Sequence, residues 1–276
     1  ASFLIATSMK RSLPTSLPSV AKKIRTESNN TLCIGVLALQ GAFQEHANML
    51  RKSTSTTSAS DQNNLAFEIT TREVRTTADL DNLAGLVIPG GESTAIAKIA
   101  TRFGNAEQGG DDDMFGALRA WIQREDRPVW GTCAGLIFMA ENIVDGAKKG
   151  GQPLIGGLNV DVSRNYFGKQ IKSFEAEIQP PPSTKEDKED KEDKEDKEDK
   201  DKEVDTYTGI FIRAPAVLRV GKEVKTLATV ISENGEEVAV AVEQGNLLAT
   251  AFHPELTDDT RWHEYFVQKC RDAATR

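Results

Sequence analysis

The chain has 276 residues, 38% of them hydrophobic, enough for one large domain or two small ones with a sizeable core. Of its formal net charge of -8, Lys185 to Glu203 (KEDKEDKEDKEDKEDKDKE) carries -5 and leaves -3 for the rest. No basic face suggests nucleic acid, and no apolar run approaches the roughly 18 residues that would suggest a membrane span.

Residues 1–30 carry Lys10, Arg11, Lys22, Lys23 and Arg25 among many Ser and Thr, with no acid before Glu27. That composition fits a transit peptide or a disordered basic tail, and either lies outside the fold. The cytoplasm is the default compartment, and an organelle stays open.

A single domain is expected over 31–276. "LCIGVLAL" from Leu32 is a short apolar run, the pattern of a strand buried on both faces. "AFQEHANMLRKS" has helical spacing, with Phe43, Ala47 and Leu50 on one face, and a polar loop is expected at 53–64. "AFEITTREV" (66–74) and "GLVIPGG" (85–91) read as strands, and a helix starts at Ser93. A Gly- and Asp-rich loop near 104–113 leads to the helix "MFGALRAWIQRED" and the strand "PVWG". Strands alternating with helices predict a parallel α/β sheet with right-handed crossovers.

After residue 150 the texture turns to strands: "LNVDVSRN", "SFEAEI", "GIFIRAP", "TLATVISENG" and "EVAVAVEQGNLLATAFHPE". "ENGEE" and "EQGN" mark turns between them. A helix, "DDTRWHEYFVQKCRDAA", closes the chain, with Asp258 or Asp259 as its cap. The KED repeat, within a low-complexity insert at about 180–204, has no apolar face and a period of three rather than 3.6, so it reads as a solvated insertion.

The cysteines are Cys33, Cys133 and Cys270, an odd number without paired spacing, which argues against a disulfide framework. The histidines, His46, His253 and His263, lack the short spacings of a zinc site, so no metal is expected.

Cys133 sits in Gly131-Thr132-Cys133-Ala134-Gly135, between a strand and a helical pattern. Ligands of α/β sheets bind beyond the carboxyl ends of strands, where a Gly-x-nucleophile-x-Gly segment forms a sharp elbow. A helix starting there favours a thiolate, and the N–H of Ala134 is placed for an oxyanion. The plain alternative is a small buried thiol at a helix start. A thiolate nucleophile needs a base, and the base needs an orienting group. His253 follows an apolar strand, and in an extended stretch Glu255, two residues on, shares its side. Together they complete a Cys-His-Glu relay. His46 lies in a helical segment and reads as structural or interfacial, and His263 reads as a surface residue of the last helix. The second Gly-rich turn, "IPGGESTA", also joins a strand to a helix. Gly91 offers a second oxyanion N–H, and Glu92 and Ser93 offer polar groups to a substrate's charged end. The plain alternative is an ordinary βα turn capped by Ser93.

"GTCAGL" with "HPEL" resembles the class I, triad-type glutamine amidotransferase domain. "IGVLALQGAFQEH", "IPGGEST", "GTCAGLI", "SRNYFG", "SFEAEI", "FIRAP" and "FHPELTDD", in this order over about residues 32 to 271, resemble one family more closely, the glutaminase subunits of pyridoxal 5′-phosphate synthase. The resemblance implies a three-layer, flavodoxin-like fold: a mixed, mostly parallel sheet with helices on both faces. It implies Cys133 as nucleophile, His253 as base and Glu255 as its orienter. Gly91, Glu92 and Ser93 match the glutamine-binding turn, and Gly91 and Ala134 the oxyanion hole. Arg164, Ile212 and Arg213 match further glutamine-contacting positions; the residues alone would leave Arg164 and Arg213 as plain surface arginines. Gln40 and Gly41 match a loop that responds to the partner subunit. The implied reaction is hydrolysis of L-glutamine to glutamate and ammonia without a cofactor. The ammonia passes to a synthase subunit whose binding raises an otherwise weak activity. Tyr166 departs from the family pattern, where relatives often have a smaller polar residue, and the loops at 53–64 and 104–113 are long.

Three other readings compete. A glutaminase of imidazole glycerol phosphate synthase shares the triad but is not expected to show "LQGAFQEH" or "FIRAP". A catalytically silent stabilising subunit would not hydrolyse glutamine with its partner present. A cysteine peptidase or chaperone-like relative would lack "GGES".

Overall fold

The structure is a computed structural model and describes residues 31–55, 67–102, 114–144, 153–164, 166–167, 173–182 and 205–276. The basic tail, the KED repeat and the 104–113 loop lie outside the described residues, as does most of the 53–64 loop.

The chain runs β1 (Thr31–Leu37), α1 (Phe43–Ser55), β2 (Glu68–Val74), β3 (Gly85–Ile88), α2 (Ser93–Arg102), α3 (Met114–Ile122), β4 (Val129–Thr132) and α4 (Ala134–Met139). Then come β5 (Ala140–Ile143), β6 (Leu158–Ser163), β7 (Ser173–Ile178), β8 (Tyr207–Ile212), β9 (Ala216–Val220), β10 (Lys225–Ile231), β11 (Glu237–Gln244), β12 (Leu247–Thr250) and α5 (Arg261–Thr275). The main sheet has the order β2-β1-β3-β4-β12-β11-β9-β6-β5, with β10 on β11, and β7 pairs with β8 in a separate ribbon.

From β2 to β12 every pairing is parallel, the 2-1-3-4-5 order of flavodoxin-like sheets. Beyond β12 the pairings are antiparallel until β5 and β6. Residues of β3, β4 and β12 are buried throughout because helices cover both faces there. α1 packs with α5, and α2 packs with α3 and α4. The mixed, mostly parallel α/β sheet is the predicted architecture. Among the described residues no helix is long and apolar enough to cross a membrane.

Several local expectations change. α1 continues to Ser55, beyond the predicted start of the polar loop, and α3 ends at Ile122 rather than 126. α4 lasts only six residues, because Ala140 turns extended (φ -62°, ψ 151°) and begins β5 at once. β9 lies in "AVLRV", which showed no alternation to reveal it: its first two residues are buried and its last three exposed. Thr260 occupies the N-cap position of α5 without a side-chain cap bond, and Asp259, one of the two expected aspartates, accepts the N–H of Arg261 at the helix start at 3.0 Å. His263 is wholly buried rather than at the surface. Its face of α5 packs on Trp130 of β4, with ring centroids 4.9 Å apart.

Candidate active site

Strand register brings the site together. Ile88, the last residue of β3, pairs with Gly131 of β4, and Thr132, the last of β4, pairs with Thr250 of β12. The loops after β3, β4 and β12 therefore emerge side by side at the carboxyl edge. They carry Gly90–Ser93, Cys133–Ala134 and His253–Glu255.

Cys133 stands between β4 and α4 with φ 48° and ψ -97°, a strained conformation for a residue with a Cβ. Its N–H donates to the Thr250 carbonyl at 2.8 Å, which anchors the elbow to β12. The flanking glycines answer a crowding problem. A Cβ on Gly131 would lie 2.6 Å from the Gly135 carbonyl carbon and 2.6 Å from Met139 Sδ. Of the other cysteines, Cys33 is partly buried and Cys270 fully so, and burial pushes the Cys270 thiol up.

His253 donates its backbone N–H to the Ile210 carbonyl of β8 at 2.8 Å. Its ring lies against Gly90, where a Cβ would come within 2.5 Å of Cε1. Glu255 is reached through a one-turn 3-10 helix, Pro254–Leu256, rather than the expected extended stretch. Proline at the first position of that turn sets φ and has no N–H to satisfy. The result is still the short contact, with Nδ1 of His253 2.8 Å from Oε1 of Glu255.

Burial opposes a charged His253 ring, but hydrogen bonds to Cys133 and Glu255, together with their charges, outweigh it and push the imidazole up to about 10. Burial likewise opposes the Glu255 carboxylate. The neighbouring His46 and the hydrogen bond from His253 hold it well below the usual range.

Cys133 and His253 open into a pocket of about 310 Å³, a size suited to a small polar molecule. Gly91 and Ala134 line it, and the first N–H groups of a helix have no intrahelical partner. Glu92 and Ser93 also line it, but Glu92 turns its carboxylate onto the N–H groups of Thr94 (3.1 Å) and Ala95 (2.6 Å). Glu92 thus caps α2, the part expected of Ser93 in the plain reading. Burial opposes its charge and those backbone hydrogen bonds lower its pKa. Ser93 Oγ accepts from Arg164 Nη2 at 2.8 Å, which joins the loop after β6 to the start of α2.

Ile212 and Arg213 complete the wall after β8, Arg213 with φ 44°. Gln40 lines the pocket and accepts the Glu92 N–H through Oε1 at 2.8 Å. Gly41 (φ 99°) lies directly on the Gly90 carbonyl. Tyr166 faces elsewhere and donates to Glu236 at 3.0 Å.

The predicted site residues therefore gather around one pocket, with Glu255 and Gly41 directly behind its wall. Sequence reasoning missed Ile137, which lines the pocket from α4, and it missed the buried setting of His46. Ile137, on the first turn after the elbow, could have been found from helical spacing.

Comparison with known proteins places the chain in a family. The chain matches the SNO glutamine amidotransferase family over residues 36–272 and belongs to that family. It is 42% identical over 260 residues to the probable pyridoxal 5′-phosphate synthase subunit PDX2 of Arabidopsis thaliana, covering 87% of each chain. It is 42% identical over 242 residues to the pyridoxal 5′-phosphate synthase subunit PdxT of Streptomyces avermitilis, covering 88% of this chain and 96% of the relative. A crystal structure titled glutamine amidotransferase superposes with a TM-score of 0.63 at 34% identity, covering 86% of this chain and 98% of the other.

Proposed function

We propose that the chain is the glutaminase subunit of a pyridoxal 5′-phosphate synthase. The relatives named as subunits of that synthase match over nearly their whole length, and the pocket is lined by a cysteine and a histidine with a carboxylate directly behind the histidine. The observation that carries the chemistry is Cys133 on a strained elbow, facing the same pocket as a His253 that Glu255 orients at 2.8 Å.

In this reading the Cys133 sulfur attacks the side-chain amide carbon of L-glutamine. The N–H groups of Gly91 and Ala134 receive the developing oxyanion. Arg164, Ser93, Ile212 and Arg213 hold the substrate's far end, and Glu92 keeps their turn in place by capping α2. His253 gives its proton to the departing ammonia and then takes one from the water that hydrolyses the glutamyl thioester. Glutamate leaves, and ammonia passes to the synthase subunit. Gln40 and Gly41, which touch the oxyanion turn, transmit docking of that subunit to the site.

The test is glutamate release from glutamine by the full chain, with and without a synthase subunit, beside Cys133→Ala. Release that rises with the partner and vanishes in Cys133→Ala is expected. No hydrolysis under any condition would leave a stabilising subunit. Hydrolysis indifferent to the partner would keep the triad and remove the assignment to pyridoxal phosphate synthesis.

A further inference from the structure

The relay from Cys133 to Glu255 accounts for one histidine of three, yet His46 and His263 are also fully buried beside it. Burying an imidazole away from any partner is costly, so where these ring nitrogens point is informative. Nε2 of His46 lies 3.2 Å from Oε2 of Glu255, the oxygen that His253 does not use. That buried oxygen has no aligned hydrogen-bond partner among the described residues, so the His46 nitrogen is a close neighbour at ion-pair distance. The same Nε2 is 3.1 Å from Oγ1 of Thr132, and Nδ1 of His46 is 3.1 Å from Nε2 of His263. Thr132 Oγ1 in turn accepts the Gly90 N–H at 2.9 Å. Trp130 packs edge-on against both rings, at 5.5 Å from His46 and 4.9 Å from His263.

These contacts admit a consistent set of donors. A carboxylate oxygen only accepts, so Oε2 of Glu255 calls for an N–H on Nε2 of His46. Nδ1 of His46 is then an acceptor and receives the Nε2–H of His263. The Nδ1 left over on His263 is a bare lone pair, and among the described residues it is the one buried histidine nitrogen that has no hydrogen-bond partner. The opposite tautomers would leave Oε2 facing a lone pair. Burial holds the His263 ring well below its ordinary pKa, in keeping with a neutral end to the chain.

We propose that His46 is a positioning residue of the glutaminase: its single Nε2–H, shared between the outer oxygen of Glu255 and Oγ1 of Thr132, steadies the carboxylate and ties the triad to the Gly90 turn. The inference rests on the glutaminase reading above. Glu255 is thereby gripped at both oxygens, by His253 on the substrate side and by His46 behind. His263 fixes the tautomer of His46, as an outer partner fixes that of any histidine with two distinct ring nitrogens. Through Thr132, one side chain sets both the angle of the base and the position of the turn that carries Gly91. A carboxylate held at one oxygen only would let the His253 ring swing, and a misplacement of about 1 Å can cost about 10²-fold in rate.

Two measurements test this. The first is ring-nitrogen NMR of the full chain labelled with 15N-histidine, which gives only three rings to assign. His46 is expected as the Nε2–H tautomer, and a Nδ1–H tautomer would overturn the proposal. The second is glutamate release with the synthase subunit present, by His46→Leu and by His46→Gln, whose amide N–H reaches near the position of Nε2. His46→Leu is expected to lose about 10²-fold in kcat at nearly unchanged KM, and His46→Gln to recover most of it. Wild-type kcat in His46→Leu, or equal losses in both variants, would overturn it. The tautomer is read on wild-type protein, so it stands even where His46→Leu does not fold. Failure of the wild-type chain to release glutamate would instead overturn the reading on which the proposal rests, which Cys133→Ala checks separately.

Discussion

Gly135 lies so close to Ile88 that a Cβ on it would stand 2.1 Å from the Ile88 carbonyl oxygen. The first turn of α4 is thus pressed onto the end of β3, and this contact holds the Cys133 elbow against the Gly90 turn. Gly135→Ala must push α4 away from the sheet. It is expected to cost about 1–3 kcal/mol of stability, as overpacking does, and to remove most glutamine hydrolysis. Urea unfolding and glutamate release would check it, and wild-type values in both would show that the contact relaxes freely.

Gly41 presents a similar problem on the other side of the oxyanion turn. Its φ is 99°, and a Cβ there would lie 1.9 Å from the Gly90 carbonyl oxygen. Gly41→Ala is expected to move that turn and lower partner-stimulated kcat by about 10²-fold. The global fold should persist, because the change falls in a surface loop. Unchanged turnover in complex with the synthase subunit would separate this loop from catalysis.

Arg213 is an exposed residue held at φ 44°, where a side chain costs about 1–2 kcal/mol. Arg213→Gly removes both the strain and the guanidinium. The expected outcome is a melting temperature equal to or above wild type, with KM for glutamine raised about tenfold or more. A raised melting temperature with KM unchanged would mean that the strain serves no contact with substrate.

The His253 ring keeps its proton up to about pH 10 because Cys133 and Glu255 together outweigh its burial. Both partners favour the charged ring, so losing either lowers the titration midpoint. Cys133→Ala and Glu255→Gln are each expected to move it toward or below the ordinary 6.5, since burial then acts with less opposition. Ring-nitrogen NMR against pH reads the midpoint directly. A midpoint that stays near 10 in Cys133→Ala would show that the thiol is not the partner.

Much of this molecule was legible in local patterns. Buried strands such as "GLVI" and "VWGT" are continuous apolar runs bounded by glycine or proline, and the elbow and the "IPGG" turn announce themselves by small residues where backbones crowd. Cys133, His253 and Glu255 could be paired from chemistry, because a nucleophile needs a base and a base needs an acceptor. β9, the early end of α4 and the 3-10 turn under Glu255 were not legible, since packing partners rather than local periodicity settle them. Arg164 and Arg213 looked like surface arginines, and only the likeness to a family set them apart. His263 was expected at the surface of the terminal helix, yet its own face of the helix meets Trp130 and His46. Sequence by itself determined which residues could do chemistry and which elements carry them, because those depend on residue type and short-range spacing. Tertiary structure alone decided that His46, 86 residues before Thr132 and 217 before His263, shares hydrogen-bonding distance with both, because strand order and register bring such distant residues together.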